Sequence, residues 1–377
     1  MSTQFDPSTL TTFADAAAGH EGVLSDPTGA VVVKPCTEAE VAFYEKANTS
    51  HPEFARFMPA FMGTLKLGAP SIPQSNSDIV PSSADGASGS ALPPPQIEGL
   101  KALGHLPRTH APSTSIPPDD ASAAGLDMND PGPLKGRHLD TELHIVLENV
   151  ASGFKQPNIL DLKLGAQLWD EGAKPEKRAR LDKVAGETTS GSLGFRVAGM
   201  RVWQGHNKVD PPKQTGGKEL FTLDSNTNVL TYNKFYGRTF TAENVIEAFK
   251  SYLSVPSAGI SKEISLSLTQ NFLSEIQEIQ QILESQESRM YSASILLVYE
   301  GDPVAWKEAT EADARYEDED VEDDDEDEDS GKKAFAVKLI DFAHARFEDG
   351  IGVDENMLKG VRSTVKILQE LEREIPS

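Results

Sequence analysis

Apolar and polar positions over the first 67 residues predict short strands around one helix. Val23-Leu24 and Ala30-Val-Val-Val-Lys34 flank the turn-like Ser25-Asp-Pro-Thr-Gly29, a hairpin pattern. Glu38 to Asn48 sets Val41, Phe43 and Tyr44 among charged residues and reads as a helix; Phe54 to Leu67 continues the same small unit. From about 69 to 136 the periodicity stops. Pro93-Pro-Pro95 and Ile116-Pro-Pro118 typify a stretch rich in Pro, Ser, Ala and Gly. That composition cannot bury a core, so a low-complexity, poorly ordered insertion is expected. A strand resumes at His144–Glu148. With the insertion excised, the run from Met62 and the run from Leu143 become neighbouring antiparallel strands of one sheet.

The second half alternates strand and helix. Ile159, Leu160, Leu162 and Leu164 mark a short buried strand, followed by a charged helix over Pro175–Val184. Phe195–Trp203 and Leu220–Leu223 read as strands. Thr241 to Leu253 reads as a helix with Thr241 as its N-cap. Ser261 to Gln286 is a long amphipathic helix, apolar at Ile264, Leu268, Phe272, Ile276, Ile279 and Leu283. Ser292–Tyr299 and Phe335–Ile340 are strands, and Asn356–Glu372 closes as a helix.

Composition changes the picture in three ways. The length of 377 residues allows one large or two small domains. Twelve of the thirteen residues from Glu317 to Asp329 are acidic, so half of the net charge of −24 sits in one tract. This argues against general nucleic-acid binding, which needs a basic face, while an anion can still bind where local fields favour it. The single cysteine, Cys36, allows no intrachain disulfide and suits a reducing compartment. No apolar run has membrane-spanning length, and the first residues lack a signal-peptide pattern.

The most informative stretch is Pro157-Asn-Ile-Leu-Asp161-Leu-Lys163-Leu-Gly165. An Asp and a Lys two residues apart share one face of a strand. Burying both costs several kcal/mol unless each has a partner or a charged ligand. A structural ion pair would meet that need, and so would a carboxylate and an ammonium aimed together at a polar substrate. The pattern P-x-x-x-D-x-K-x-G, with Gly191-Ser-Leu-Gly194-Phe-Arg-Val-Ala-Gly199-Met, Ser294–Tyr299 and Ile340-Asp341-Phe342-Ala343-His344 in order, resembles the inositol polyphosphate kinase family. The likeness runs from about Gly22 to Leu368 and is greatest to the fungal multikinases.

The resemblance implies an α+β, two-lobed kinase-like fold with antiparallel sheets and ATP between the lobes. It implies a flexible start over 1–20, an N-lobe from 21–68 and 137–150 with a hinge, and a C-lobe over 151–377 with an acidic disordered loop at 309–333. It assigns Lys34 to the ATP phosphates, braced by Glu40. The Glu148 carbonyl and Val150 amide would hold adenine. Asp161 would orient or deprotonate the attacking hydroxyl, and Lys163 would hold a phosphate. Asp341 would bind Mg2+, assisted by Ser294. Lys177, Arg180 and Lys183, which share a helical face, and Lys234 would bind inositol phosphates, although a solvated face is the usual meaning of such a helix.

The implied activity is ATP- and Mg2+-dependent phosphorylation of inositol 1,4,5-trisphosphate and tetrakisphosphate to pentakisphosphate. A hexakisphosphate kinase making pyrophosphates is the near rival. A transcriptional scaffold that binds basic proteins through the acidic tract is the other. The intact set of Lys34, Asp161, Lys163 and Asp341 favours catalysis. No G-x-G-x-x-G loop, Walker lysine or His-Arg-Asp loop is present, which argues against a protein kinase. A monomer in nucleus and cytoplasm is expected.

Overall fold

The computed structural model describes residues 7–13, 17, 22–67, 139, 141–212, 219–318 and 333–375. The expected insertion at 69–136 and most of the acidic tract lie outside these residues.

A 3-10 turn at Pro7–Thr9 leads into β1 (Thr11–Thr12), β2 (Leu24–Ser25), β3 (Val31–Pro35), α1 (Glu38–Ser50), α2 (Pro52–Ala55), β4 (Phe61–Lys66) and β5 (Leu143–Glu148). The strands make one sheet in the order β1-β2-β3-β5-β4. Lys66 pairs with Leu143, and Leu67 N donates to Glu142 O at 2.9 Å. The strand ends on either side of the insertion therefore adjoin. Thr11 and Thr12 pair with Ser25 and Leu24, so the expected loose start over 1–20 contains an edge strand. The Thr37 hydroxyl caps α1 by accepting from Glu40 N, and Glu38 and Glu40 favour its positive end.

The larger lobe runs β6 (Pro157–Leu164), α3 (Pro175–Gly186), α4 (Thr189–Leu193), β7 (Phe195–Trp203), β8 (Phe221–Asp224), β9 (Val229–Tyr232), α5 (Lys234–Gly237), α6 (Ile246–Leu253), α7 (Lys262–Ser285), β10 (Ser288–Met290), β11 (Ser294–Glu300), α8 (Pro303–Asp318), β12 (Phe335–Ile340), β13 (Ala345–Phe347) and α9 (Glu355–Glu374). Its main sheet has the order β12-β11-β6-β7-β9-β8. One face is apolar: Leu160, Leu162, Leu164, Ile295, Leu297 and Leu339 are fully buried and join the buried stripes of α7 and α9 in one core. Each such side chain contributes about 1.5–3 kcal/mol. The opposite face carries the candidate site.

Two expectations need correction, and one strand was not anticipated. The helix read from Thr241 begins at Ile246, because Asn244 turns back and accepts from Thr241 N at 2.7 Å. Residues Thr241 to Val245 form turns, and Thr241 is not the N-cap. The acidic loop expected at 309–333 is helical through Asp318, as the end of α8. The strand the sequence reading passed over is β9, which pairs with β7 on one side and β8 on the other.

The lobes meet through an aromatic cluster. Phe342 is fully buried against α1 and α2, with ring centroids 4.8 Å from Phe43 and 6.0 Å from Phe54. Such pairs add about 0.5–1.5 kcal/mol each beyond area burial. This anchor places the preceding residue, Asp341, whose φ of 68° is rare for a side chain other than glycine.

Candidate active site

Pairing across β6, β11 and β12 sorts the site face into three rows. Ile159, Val298 and Ala336 form the first, Asp161, Leu296 and Lys338 the second, and Lys163, Ser294 and Ile340 the third. The first row is apolar and lies beside Val150 and Ala151, with which Ile159 and Val298 form a small core of their own. The third row sets the Lys163 ammonium beside the Ser294 hydroxyl and Ile340, and Asp341 follows it directly. Four residues of strand, about 13 Å, separate the first row from the third. The face is thus apolar at the hinge and charged at the far end.

Charge is concentrated at that far end. Lys34 Nζ lies 2.6 Å from Asp341 Oδ1 and 3.0 Å from Glu40 Oε1, so β3, α1 and the end of β12 share one cation. Burial alone would depress Lys34, but the two carboxylates reverse this and hold it above the usual lysine value. Burial pushes Asp161 up to about 6 against the pull of Lys163, and the charge of Asp341 adds to the rise. Lys163 is lowered, first by burial, with Arg196 among the like charges around it. Asp161 Oδ1 and Ser294 Oγ are buried without a hydrogen-bond partner among the described residues. Ser294 nevertheless lies close enough to Asp161 for its hydroxyl to oppose the rise of the carboxyl. Oxygens so sparsely bonded are costly to bury unless a ligand completes them.

The hinge is built by side chains that the sequence reading passed over. Asn149 Nδ2 donates to Gly29 O at 2.6 Å, and its Oδ1 accepts from Ala151 N at 3.0 Å. Buried Glu300 accepts from Lys155 N and Gln156 N, fixing the entry to β6. Of the two residues expected at the hinge, Val150 packs in the small core, and the Glu148 carboxylate accepts from Lys333 Nζ at 2.9 Å and from Ala60 N at 3.2 Å.

The cations expected to bind substrate are dispersed. Arg180 and Lys183 are exposed on α3, Lys183 lies 3.8 Å from Glu187, and Lys177 is partly buried. Lys234 starts α5 and sits 5.4 Å from the Phe235 ring centroid. Two arginines that sequence reasoning missed are closer to the motif. Arg196 pairs across the sheet with Lys163 and donates to Ser190 Oγ at 2.9 Å. Burial, then the neighbouring charge of Arg238, lowers Arg196 to about 10, while Asp161 opposes the fall. Arg196 reaches this face through a bulge. Asp161 pairs with Gly199 but Leu162 with Val197, so the extra residue, Ala198, inverts the alternation beyond it. An arginine inside an otherwise apolar run, three residues before a glycine, was the available signal.

The model of the inositol polyphosphate kinase family matches residues 144–369, more than half of the chain. This chain belongs to the inositol polyphosphate kinase family. It is 31% identical to the inositol polyphosphate multikinase of Saccharomyces cerevisiae over 94% of this chain and 96% of that one. It is 28% identical to inositol hexakisphosphate kinase 3 of Mus musculus over 60% of this chain and 50% of that one. Among solved structures, the S. cerevisiae inositol phosphate multikinase in complex with ADP and Mn2+ superposes with a TM-score of 0.59 at 26% identity, covering 91% of this chain and 99% of that one.

As an inositol polyphosphate kinase, the chain offers a divalent metal few ligands. Among the described residues no three His, Cys, Asp or Glu side chains gather as a metal cluster. A hard cation beside Asp341 and the orphaned Ser294 hydroxyl would take its other oxygens from phosphates and water, which is how Mg2+ is ordinarily held in kinases. The donor set therefore fits.

Proposed function

We propose that this protein is an ATP- and Mg2+-dependent inositol polyphosphate multikinase acting on inositol tris- and tetrakisphosphate. The observation that carries this is the graded face of β6, β11 and β12, with buried Asp161 between its apolar and cationic ends. An adenine fits the first row near Val150, the ribose falls near Asp161, and the nucleotide phosphates reach Lys34 and Asp341. Asp161, raised to about 6, accepts the proton of the attacking hydroxyl near neutral pH. Lys163, Arg196 and Arg238 hold substrate phosphates, with Lys234 and the face of Lys177, Arg180 and Lys183 at the rim. A divalent ion, when bound, neutralises charge on the transferring phosphate. Near-complete coverage of a multikinase, against half of a hexakisphosphate kinase, supports the choice between the two.

Product analysis tests it. Purified protein is incubated with ATP, Mg2+ and either inositol trisphosphate or inositol hexakisphosphate, beside Asp161→Asn. Conversion of the trisphosphate to tetrakis- and pentakisphosphate, lost in the variant, is the expected result. Pyrophosphate formed only from hexakisphosphate, or no turnover of either compound, overturns it.

A further inference from the structure

We infer that Asn356 is a positioning residue for the inositol phosphate, acting through the loop that leaves the P-x-x-x-D-x-K-x-G strand; this rests on the kinase reading above. Gly165 ends the motif with φ 98°, and the chain then crosses Ala166–Lys174 to reach α3. Asn356 lies in the first turn of α9. Its Oδ1 accepts from Ala166 N and from Gln167 N, both at 2.8 Å, and its Nδ2 donates to Gln167 O at 2.9 Å. One amide thus satisfies three backbone groups of a segment that no helix or sheet supports. The fit also accounts for the glycine, because a Cβ at 165 would lie 2.8 Å from Asn356 Nδ2.

The anchor is itself rigid. Asp354 accepts from Met290 N at 2.7 Å and Met357 N at 3.0 Å, tying the start of α9 to β10. Gly360 packs directly on Gly194, with Gly194 O in the space a side chain would need. Farther along, Ser292 Oγ donates to Leu168 O at 3.0 Å, and His344 Nδ1 lies 2.6 Å from Asp170. The start of the loop borders the substrate cations, and its far end, Lys174, opens the helix that carries Lys177, Arg180 and Lys183. Gly165 is two residues beyond Lys163, which pairs across the sheet with Arg196. The apolar first row, where adenine fits, lies at the other end of β6. Loosening residues 166–167 therefore disturbs inositol phosphate binding and spares the nucleotide.

The test compares Asn356→Ala with Asn356→Asp, which keeps the acceptor for both amides. In the unliganded full chain, amide exchange at 166–167 should speed up in Asn356→Ala while the N-lobe stays protected. In steady-state kinetics, the KM for inositol trisphosphate should rise about tenfold, inside the ~100-fold that misplacement can cost. The KM for ATP should hold within about twofold, and the ratio of ring positions phosphorylated should shift. Asn356→Asp should recover most of each effect. Unchanged exchange at 166–167 overturns the inference. So does a parallel rise of both KM values, or an Asn356→Asp variant as impaired as Asn356→Ala. If the wild type phosphorylates no inositol phosphate, the proposed function fails, and this inference with it.

Discussion

Asp161→Asn should give a protein that is inactive yet more stable at neutral pH. Asp161 is 4% exposed, and its Oδ1 has no partner among the described residues. Its pKa rises from 3.8 to about 6, chiefly through burial. Between those values the folded protein keeps a proton that the unfolded chain has released. Asp161 therefore favours folding fully below pH 3.8, and that contribution is lost as pH climbs through about 6. A shift of about two units at 1.36 kcal/mol each sets a ceiling of about 3 kcal/mol. Asparagine keeps the shape and never ionises, so it avoids this cost. Lys163 loses a favourable neighbour in the variant, which brings the expected gain to roughly 1–2 kcal/mol at pH 8. Urea denaturation at pH 8, 6 and 4.5 measures it. The gain should shrink steadily with falling pH and nearly vanish toward pH 4. Turnover should fall by about 100-fold or more throughout, the usual contribution of a general base. A variant less stable than wild type at pH 8, or a stability difference that ignores pH, would refute the account of Asp161 as a carboxylate held charged against its surroundings.

Further outcomes follow from the same geometry. Lys34→Met strips Glu40, 1% exposed, and Asp341 of their shared cation; a loss of roughly 3 kcal/mol in denaturant unfolding is expected, together with weaker ATP binding by calorimetry. Arg196→Ala should raise the KM for inositol trisphosphate about 10- to 100-fold, the value of a charged hydrogen bond, with little change for ATP; equal effects on both substrates would show that Arg196 serves the sheet instead. Replacing residues 69–136 with a short turn should leave kcat/KM within about twofold, because Leu67 and Glu142 are already hydrogen-bonded to each other; a large loss of turnover would assign that segment a part in catalysis.

Local order was legible in the chain. The hairpin, the strand pair interrupted by the insertion, the amphipathic α7 and the motif strand follow from hydrophobic period and turn residues. These depend on near neighbours, and the period-two rule by itself puts Asp161 and Lys163 on one face. The fungal-kinase resemblance added Lys34, Glu40 and Asp341 and the order of the parts. Several features were settled only when distant strands came together. Lys34 and Asp341 are 307 positions apart and meet because β3 and the end of β12 face each other across the lobes. Arg196 enters the site because one bulged residue in β7 reverses which side chains point inward, and alternation cannot reveal a register that pairing alone decides. Asn356 reads as an ordinary first-turn residue of α9 until the fold sets its amide against the loop beyond Gly165. The basic face of α3 was the plainest cationic signal in the sequence, yet the half-buried arginine beside Lys163 lies on a strand. A helix shows its charges by spacing, whereas a sheet shows them only after its partners are known.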